Sequence, residues 1–234
     1  MFIHGKKSRV YVSGYDIGQY FKTFNLTATV DTPEASRFGS SYKEYVVGLT
    51  DEVVTGDGYF KGSTYQSDYI FNQTFGSTCI WSFYQNGTTV GSLGYGVKSI
   101  QNTYKLTSPI DNVVAASVEA KSNVGIEQIK SLHSYQAESN SSYEIALDGV
   151  AATTRGAVGY LQMGIPTGGI SAKVAIQHSA VGSTWDNLIV FSSGAAASAQ
   201  RNSTITTVKR YTRAQWTLSS TVGSATFNVG IKRI

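Results

Sequence analysis

The sequence predicts an all-β protein, because period-two alternation recurs along it, glycine-containing turns separate the alternating runs, and amphipathic helical spacing is nearly absent. Residues 21–30 (Phe-Lys-Thr-Phe-Asn-Leu-Thr-Ala-Thr-Val) alternate apolar and polar side chains, the pattern of a strand with one buried face. Residues 8–12 form a shorter strand that ends at Ser13-Gly14, a turn signal. The pattern continues at residues 42–47, 53–60, 65–71 and 79–84. Asn86-Gly87 predicts a hairpin turn, since both residue types tolerate positive φ. Residues 111–120 place Val114, Ala116 and Val118 on one face of a further strand. The best helix candidate is residues 124–136, through Ile126, Ile129, Lys130 and Leu132-His133, so at most one short helix is expected.

The polar, aperiodic stretch Gln-Ala-Glu-Ser-Asn-Ser-Ser at residues 136–142 predicts a domain boundary. Residues 1–138 then form an N-terminal β-barrel or sandwich, and residues 139–234 a C-terminal, jelly-roll-like β-sandwich. Strands of the second unit are expected at residues 143–147, 157–163, 171–178, 188–192, 203–208, 212–218 and 225–231. Gly168-Gly169, Gly182-Ser183 and Gly223-Ser224 fall between them, the spacing of short strands in a sandwich.

Composition bounds the function classes. Of 234 residues, 41% are hydrophobic and only 15% charged, the reverse of a disordered chain. A surface of Ser, Thr, Asn and Tyr is poorly defended against self-association, which suits a subunit that assembles. The net charge is +4, but its basic pairs, Lys6-Lys7, Lys209-Arg210 and Lys232-Arg233, are isolated and do not make a nucleic-acid groove. Cys79 is the only cysteine, so an intrachain disulfide or a multi-cysteine metal site is excluded, and its apolar surroundings predict a buried thiol. The first seven residues lack the apolar core of a signal peptide, and no stretch nears the roughly 20 apolar residues of a membrane helix. A soluble protein made in the cytoplasm, with no membrane partner, is expected. Five Asn-Xaa-Ser/Thr sequons, beginning at Asn25, Asn72, Asn86, Asn140 and Asn202, then read as by-products of composition.

No residue set supports catalysis. His4, His133 and His178 are too few and scattered for a metal cluster, and neither metal nor cofactor is expected. His178-Ser179 with Asp186 hints at a hydrolase, yet adjacent strand residues point to opposite faces, so Ser179 cannot readily use His178 as its base. Gly91-Ser92-Leu93-Gly94-Tyr95-Gly96 runs into a strand-like segment rather than a helix, which predicts a turn or bulge, not a phosphate cradle. Asp51, Asp57 and Asp68 lack the spacing of a calcium loop. Of the tryptophans, Trp216 sits in a strand pattern and is expected in the core. Trp185 follows a Gly-Ser-Thr turn and is the candidate exposed aromatic for stacking on a sugar.

The most specific pattern lies within the first sixty residues: Gly14-Tyr15-Asp16-Ile17, Tyr20-Phe21, Val30-Asp31-Thr32-Pro33-Glu34-Ala35-Ser36-Arg37-Phe38-Gly39, Lys43-Glu44-Tyr45-Val46-Val47-Gly48-Leu49-Thr50-Asp51 and Gly56-Asp57-Gly58-Tyr59-Phe60. It resembles the opening of the tail-tube (major tail) proteins of long-tailed bacteriophages. Arg37 stands where the family has threonine, and Pro33 interrupts its acidic pair, departures that bear on subfamily. The resemblance implies a non-enzymatic virion protein, made in the host cytoplasm and placed in the tail. Its hexameric rings would stack into a tube beside other tail proteins and pass DNA without binding it specifically. It makes Asp31, Thr32, Arg37, Phe38, Gly39 and Tyr45 candidates for an inter-subunit loop. The C-terminal half, through Val174-Ala175-Ile176-Gln177-His178-Ser179, Trp185-Asp186-Asn187-Leu188 and Arg210-Tyr211-Thr212-Arg213, is similar to added β-sandwich modules of phage structural proteins, some of them lectin-like. A capsid decoration (cement) protein, or a carbohydrate-binding virion module for host attachment, are the alternative expectations.

Overall fold

The computed structural model describes residues 5–39 and 41–234. His4 and the first residues read against a signal peptide lie outside them. The described residues are all-β apart from one α-helix and a 3-10 turn at Gly5–Lys7. The first strands are β1 (Arg9–Val12), β2 (Tyr15–Asp16), β3 (Phe21–Val30) and β4 (Thr50–Tyr59), followed by α1 (Ser67–Thr74). Then come β5 (Thr78–Tyr84), β6 (Leu93–Thr107), β7 (Ala115–Glu138), β8 (Ser142–Tyr143) and β9 (Leu147–Asp148). The last six are β10 (Ala157–Met163), β11 (Ala172–Ser179), β12 (Asp186–Val190), β13 (Ser198–Thr204), β14 (Tyr211–Leu218) and β15 (Ala225–Arg233).

One 10-stranded antiparallel sheet runs β13-β10-β15-β7-β6-β5-β1-β2, with β4 and β3 branching from β7. A 5-stranded sheet, β12-β11-β14-β8 with β9 beside β14, forms a second layer. It packs on the β10–β15–β7 end of the large sheet through a core holding Leu132, Leu161, Ile176, Phe191, Trp216 and Phe227. A separate core gathers Val12, Ile17, Val54, Phe71, Trp81 and Val97 from the N-terminal strands and α1. The seam between them holds Tyr11, Tyr84, Ile129, Val158 and Tyr160. Strands from both sides of residue 138 thus share one sheet while filling two main cores.

Several sequence expectations are met closely, among them strands at 21–30 and 157–163. Others are corrected: residues 143–147 are two short strands, β8 and β9, and the strand expected at 203–208 is β13, which ends at Thr204. Residues 124–136 are not a helix but the second half of β7. Their period is broken by a bulge, in which Gly125 adopts φ 91° and Ser122 Oγ accepts from the amides of Val124 and Gly125. A second irregularity leaves Leu132 without a facing residue, since Val229 faces His133 and Gly230 faces Ser131. Two bulges shift the alternation enough to imitate helical spacing. Residues 65–71 are not a strand, because α1 begins at Ser67 and buries Ile70, Phe71 and Thr74, a helical set of neighbours. Asp68 lies in its first turn, and Gln101 Nε2 donates to the Phe71 carbonyl near its other end at 2.9 Å. Residues 42–47 make no strand, only an isolated bridge between Glu34 and Tyr45.

Cys79 and Trp216 are buried as expected, and Trp216 Nε1 donates to the Asn140 carbonyl at 2.8 Å. Ser141 Oγ accepts from Leu218 N, so the polar connection after β7 is stitched to β14. Asn86-Gly87 lies in the turn region between β5 and β6, with Gly87 at φ 76°, but β6 starts at Leu93, so the loop is longer than a two-residue hairpin.

Polar side chains clamp the seam. Glu127 on β7 is buried, and its carboxylate accepts from Arg201 Nε at 2.7 Å and from the Tyr160 hydroxyl. Lys232 Nζ lies 3.5 Å from its other oxygen. These partners stand on β13, β10 and β15, so one carboxylate ties the C-terminal strands to β7. The Tyr160 ring is seated on Gly96, where a Cβ would come within 2.5 Å of it. Gln162, also fully buried, donates to the Ile80 carbonyl at 2.9 Å while its Oε1 accepts from Gly14 N at 2.9 Å.

Two outcomes follow from the buried polar groups. Arg201→Met leaves the Glu127 carboxylate buried with the Tyr160 hydroxyl and the longer Lys232 contact but without its close cation, and the loss should be about 3 kcal/mol, read as a fall in the urea midpoint. A double exchange to Glu127→Leu and Arg201→Met should recover much of it. His133 is fully buried against Trp216 and Phe227, and burial lowers its pKa from 6.5 to about 4. Its Nδ1–H donates to the Ser134 carbonyl, leaving Nε2 as an unpaired acceptor 3.4 Å from a Glu138 oxygen. The folded state therefore holds the neutral ring. Its contribution is complete above pH 6.5 and is lost as pH falls from there toward 4, by at most about 3 kcal/mol. Denaturation midpoints of wild type and His133→Phe should show a shallower decline over that window in the variant.

Candidate assembly surface

The segment singled out in the sequence is a projecting arm. β3 and β4 pair in register from Phe24↔Gly56 to Val30↔Thr50, while β4 pairs with β7 only from Val53↔Lys121 to Tyr59↔Ala115. The end of the hairpin beyond Val53 therefore leaves the sheet. Backbone bonds carry it further: Asp31 N to Leu49 O at 2.9 Å, Val46 N to Pro33 O at 3.1 Å, and Ala35 N to Glu44 O at 2.8 Å. It turns near Gly39, whose φ of 92° lies in the region that favours glycine.

All six loop candidates, Asp31, Thr32, Arg37, Phe38, Gly39 and Tyr45, lie on this arm and are exposed. The arm is held by its own ion pairs, Lys43 with Glu34 at 2.9 Å and Arg37 with Glu44 at 4.0 Å. Exposed pairs of this kind are worth little. Its apolar side chains have no core to enter: Phe38 is fully exposed, Tyr42 is 86% exposed, Val47 84% and Leu49 82%. Reading 42–47 as a half-buried strand hid Tyr42, Val46 and Val47. The signal against a strand was the adjacent pair Val46-Val47, which breaks the alternation.

Among the described residues β3 pairs with β4 alone, so its other edge presents backbone donors and acceptors along ten residues without a strand partner. Beside it opens a cleft of about 850 Å³ between β3 and the β1–β5–β6 part of the sheet. Phe21, Phe24, Leu26, Phe83, Tyr95 and Ile126 give it an apolar floor, and Arg9, Lys22 and Glu52 are its charged lining. No residue of the arm between 31 and 49 lines it. Two glycines of the tail-protein-like motif shape this region. A Cβ on Gly56 would lie 2.5 Å from the Phe24 ring, and one on Gly58 2.3 Å from the Tyr20 carbonyl oxygen.

Trp185 lies on the outer face of the 5-stranded sheet and is half-buried. The Arg213 guanidinium sits 4.1 Å from its ring centroid and 3.9 Å from that of Tyr143. Arg213 also donates to Gln177 Oε1, through Nε at 3.0 Å and Nη2 at 2.9 Å. One face of the indole is thus covered by a cation, which leaves less of the ring for sugar stacking than an open platform offers. His178 Nδ1 accepts from Lys209 N, Ser179 Oγ accepts from the amides of Val181 and Gly182, and Asp186 pairs with Lys209. His178 and Asp186 both bind Lys209 while Ser179 holds the following turn, so the three form no relay. Among the described residues no group of three or more His, Cys, Asp or Glu side chains converges as a metal site. No described helix is long and apolar enough to cross a membrane.

No protein-family model matches the sequence, and no curated protein matches it. Among solved structures the chain is similar to a component of the virion of a native gene transfer agent particle, with 13% identity, a TM-score of 0.44, and coverage of 53% of this chain and 97% of that one. It is similar to a chain of the anti-feeding prophage baseplate, with 8% identity, a TM-score of 0.42, and coverage of 53% and 93%. It is also similar to the Dit protein of SPP1, a hub of the adsorption apparatus of phages infecting Gram-positive hosts, with 8% identity, a TM-score of 0.38, and coverage of 97% and 99%.

Proposed function

We infer that this chain is a non-enzymatic structural subunit of a phage tail, which self-associates into rings that stack as a tube for DNA passage. The observation that carries the reading is the pairing, on one chain, of a long unpartnered strand edge with an arm of exposed apolar side chains. A monomeric protein blunts such edges with charge, proline or bulges. β3 has one lysine, no proline and a single register shift near its start. The tail-tube-like motif supports the same reading, because its residues supply the arm, the two ends of β3 and the close-packed glycines of β4. The division into units of residues 1–138 and 139–234 fits two cores joined by a polar seam. The C-terminal unit, with its Tyr143–Arg213–Trp185 stack, is the part suited to contact other tail proteins.

Sedimentation velocity and negative-stain microscopy of the full-length chain test this. Closed rings, growing into tubes with concentration, are the expected outcome; a protein that stays monomeric throughout sinks the reading, and a trimer favours a decoration protein. Phe38→Ser combined with Val47→Ser should leave thermal unfolding within about 0.5 kcal/mol of wild type, since neither side chain is packed, while weakening assembly. A Trp185→Ala variant that loses binding on a glycan array would instead favour the attachment module.

A further inference from the structure

We propose that the cleft between the two layers, where the start of β14 faces the end of β15, binds a small oxyanion, a phosphate or carboxylate group. This cavity of about 250 Å³ is separate from the one beside β3, and the site goes beyond the structural role inferred above. β7 and β15 wall it from the large sheet, through Ile129 and Ile231; β9, β14 and the loop after β9 wall it from the second layer, through Leu147, Thr153 and Thr212.

Three lining residues hold a buried polar atom without a hydrogen-bond partner: Thr153 Oγ1, Thr212 Oγ1 and Arg233 Nε. Buried polar groups are seldom left so. Thr212 is 1% exposed, and its alternation with buried Ala214 and Trp216 turns its side chain inward, between the layers. Thr153 is fixed by backbone bonds in both directions with Val208, at 2.9 and 2.8 Å. The Arg233 guanidinium crosses Gly149, where a Cβ would collide with Nη1. Its Nη1 and Nη2 donate to the carbonyls of Arg210, Ala151, Val208 and Lys209, so Nε–H is the donor left to give.

Charge decides the class of ligand. Lys130, Lys232 and Arg233 line the cleft against Asp148 alone, whose carboxylate is already held by Arg210 and the Val150 amide. Among the described residues neither Lys130 nor Arg233 has a carboxylate within ion-pair distance. Water would satisfy the two hydroxyls and leave the excess positive charge uncompensated. An oxyanion does both, accepting from the hydroxyls and Nε–H while offsetting the cations. The space exceeds the roughly 30 Å³ of one water, so the anionic group can carry an organic substituent.

Inorganic phosphate and, separately, acetate titrated into the full-length chain at constant ionic strength test this through the thermal midpoint. A saturable rise is expected with at least one of them, and the anion that gives it names the ligand's group. Phosphate also stabilises proteins generally by exclusion, without saturating, so the variants carry the decision. Thr212→Val keeps the shape and removes an orphaned hydroxyl. It should leave the anion-free midpoint unchanged or slightly raised, and weaken the saturable response at least about tenfold. Lys130→Gln, at an exposed position, should weaken it without altering the anion-free midpoint. A midpoint that responds to both anions without saturating, alike in wild type and Thr212→Val, overturns the site and leaves a cleft that holds water. A Thr212→Val chain clearly destabilised without anion overturns it too, because the hydroxyl would then have a partner within the fold.

Discussion

The backbone of β7 must be paired along both edges, and most of the fold follows from how that is done. A buried strand cannot leave its amides and carbonyls without partners, and β7 runs from Ala115 to Glu138. One edge is served by β6 from Ala115 to Lys130. The other is shared, with β4 against its first part and β15 from Lys130 onward. The bulge at Ser122–Gly125 lies where β4 ends and β15 has not begun, so only the ladder with β6, which shifts register there, has to accommodate it. Because β15 takes the remaining edge, the β3–β4 hairpin has no sheet to follow and runs off as an arm. The free β3 edge and the cleft beside it are consequences of the same handover.

Polar side chains lie beside the apolar residues of the seam. Glu127, Arg201 and Tyr160 are joined by mutual hydrogen bonds, and Gln162 ties β10 to the Ile80 carbonyl and Ser82 on β5. A buried ion pair of this kind adds little net stability over an apolar filling, but it tolerates few alternative arrangements. The Tyr160 ring on Gly96 acts in the same sense: only glycine on β6 lets the C-terminal strands approach that closely. Relative placement of the two halves is thereby held by geometry more than by buried area.

Legibility in the sequence followed burial on one face. β3 and β10 were readable to the residue, β3 from clean alternation and β10 from an apolar run bounded by glycines. Residues 124–136 were misread because two bulges shift the phase of one strand, and a bulge depends on partner strands far along the chain. Residues 65–71 were misread because Phe71 stacks on Trp81 and its carbonyl accepts from Gln101, contacts that local alternation does not encode. The six residues grouped by their resemblance to a motif do lie together on one exposed arm. The cleft was not, because Phe24, Tyr95 and Ile126 come from three strands whose adjacency appears only in the sheet.

The arm also explains a tension in the composition. A chain with 15% charged residues and few charges on its longest edge strand is poorly guarded against indiscriminate edge-to-edge pairing. Guarding that edge with lysines would also remove the surface on which a specific partner adds. An edge strand beside an arm of exposed apolar side chains (Phe38, Tyr42, Val47, Leu49) is the arrangement of a surface covered on assembly, and there a low charge content carries no penalty.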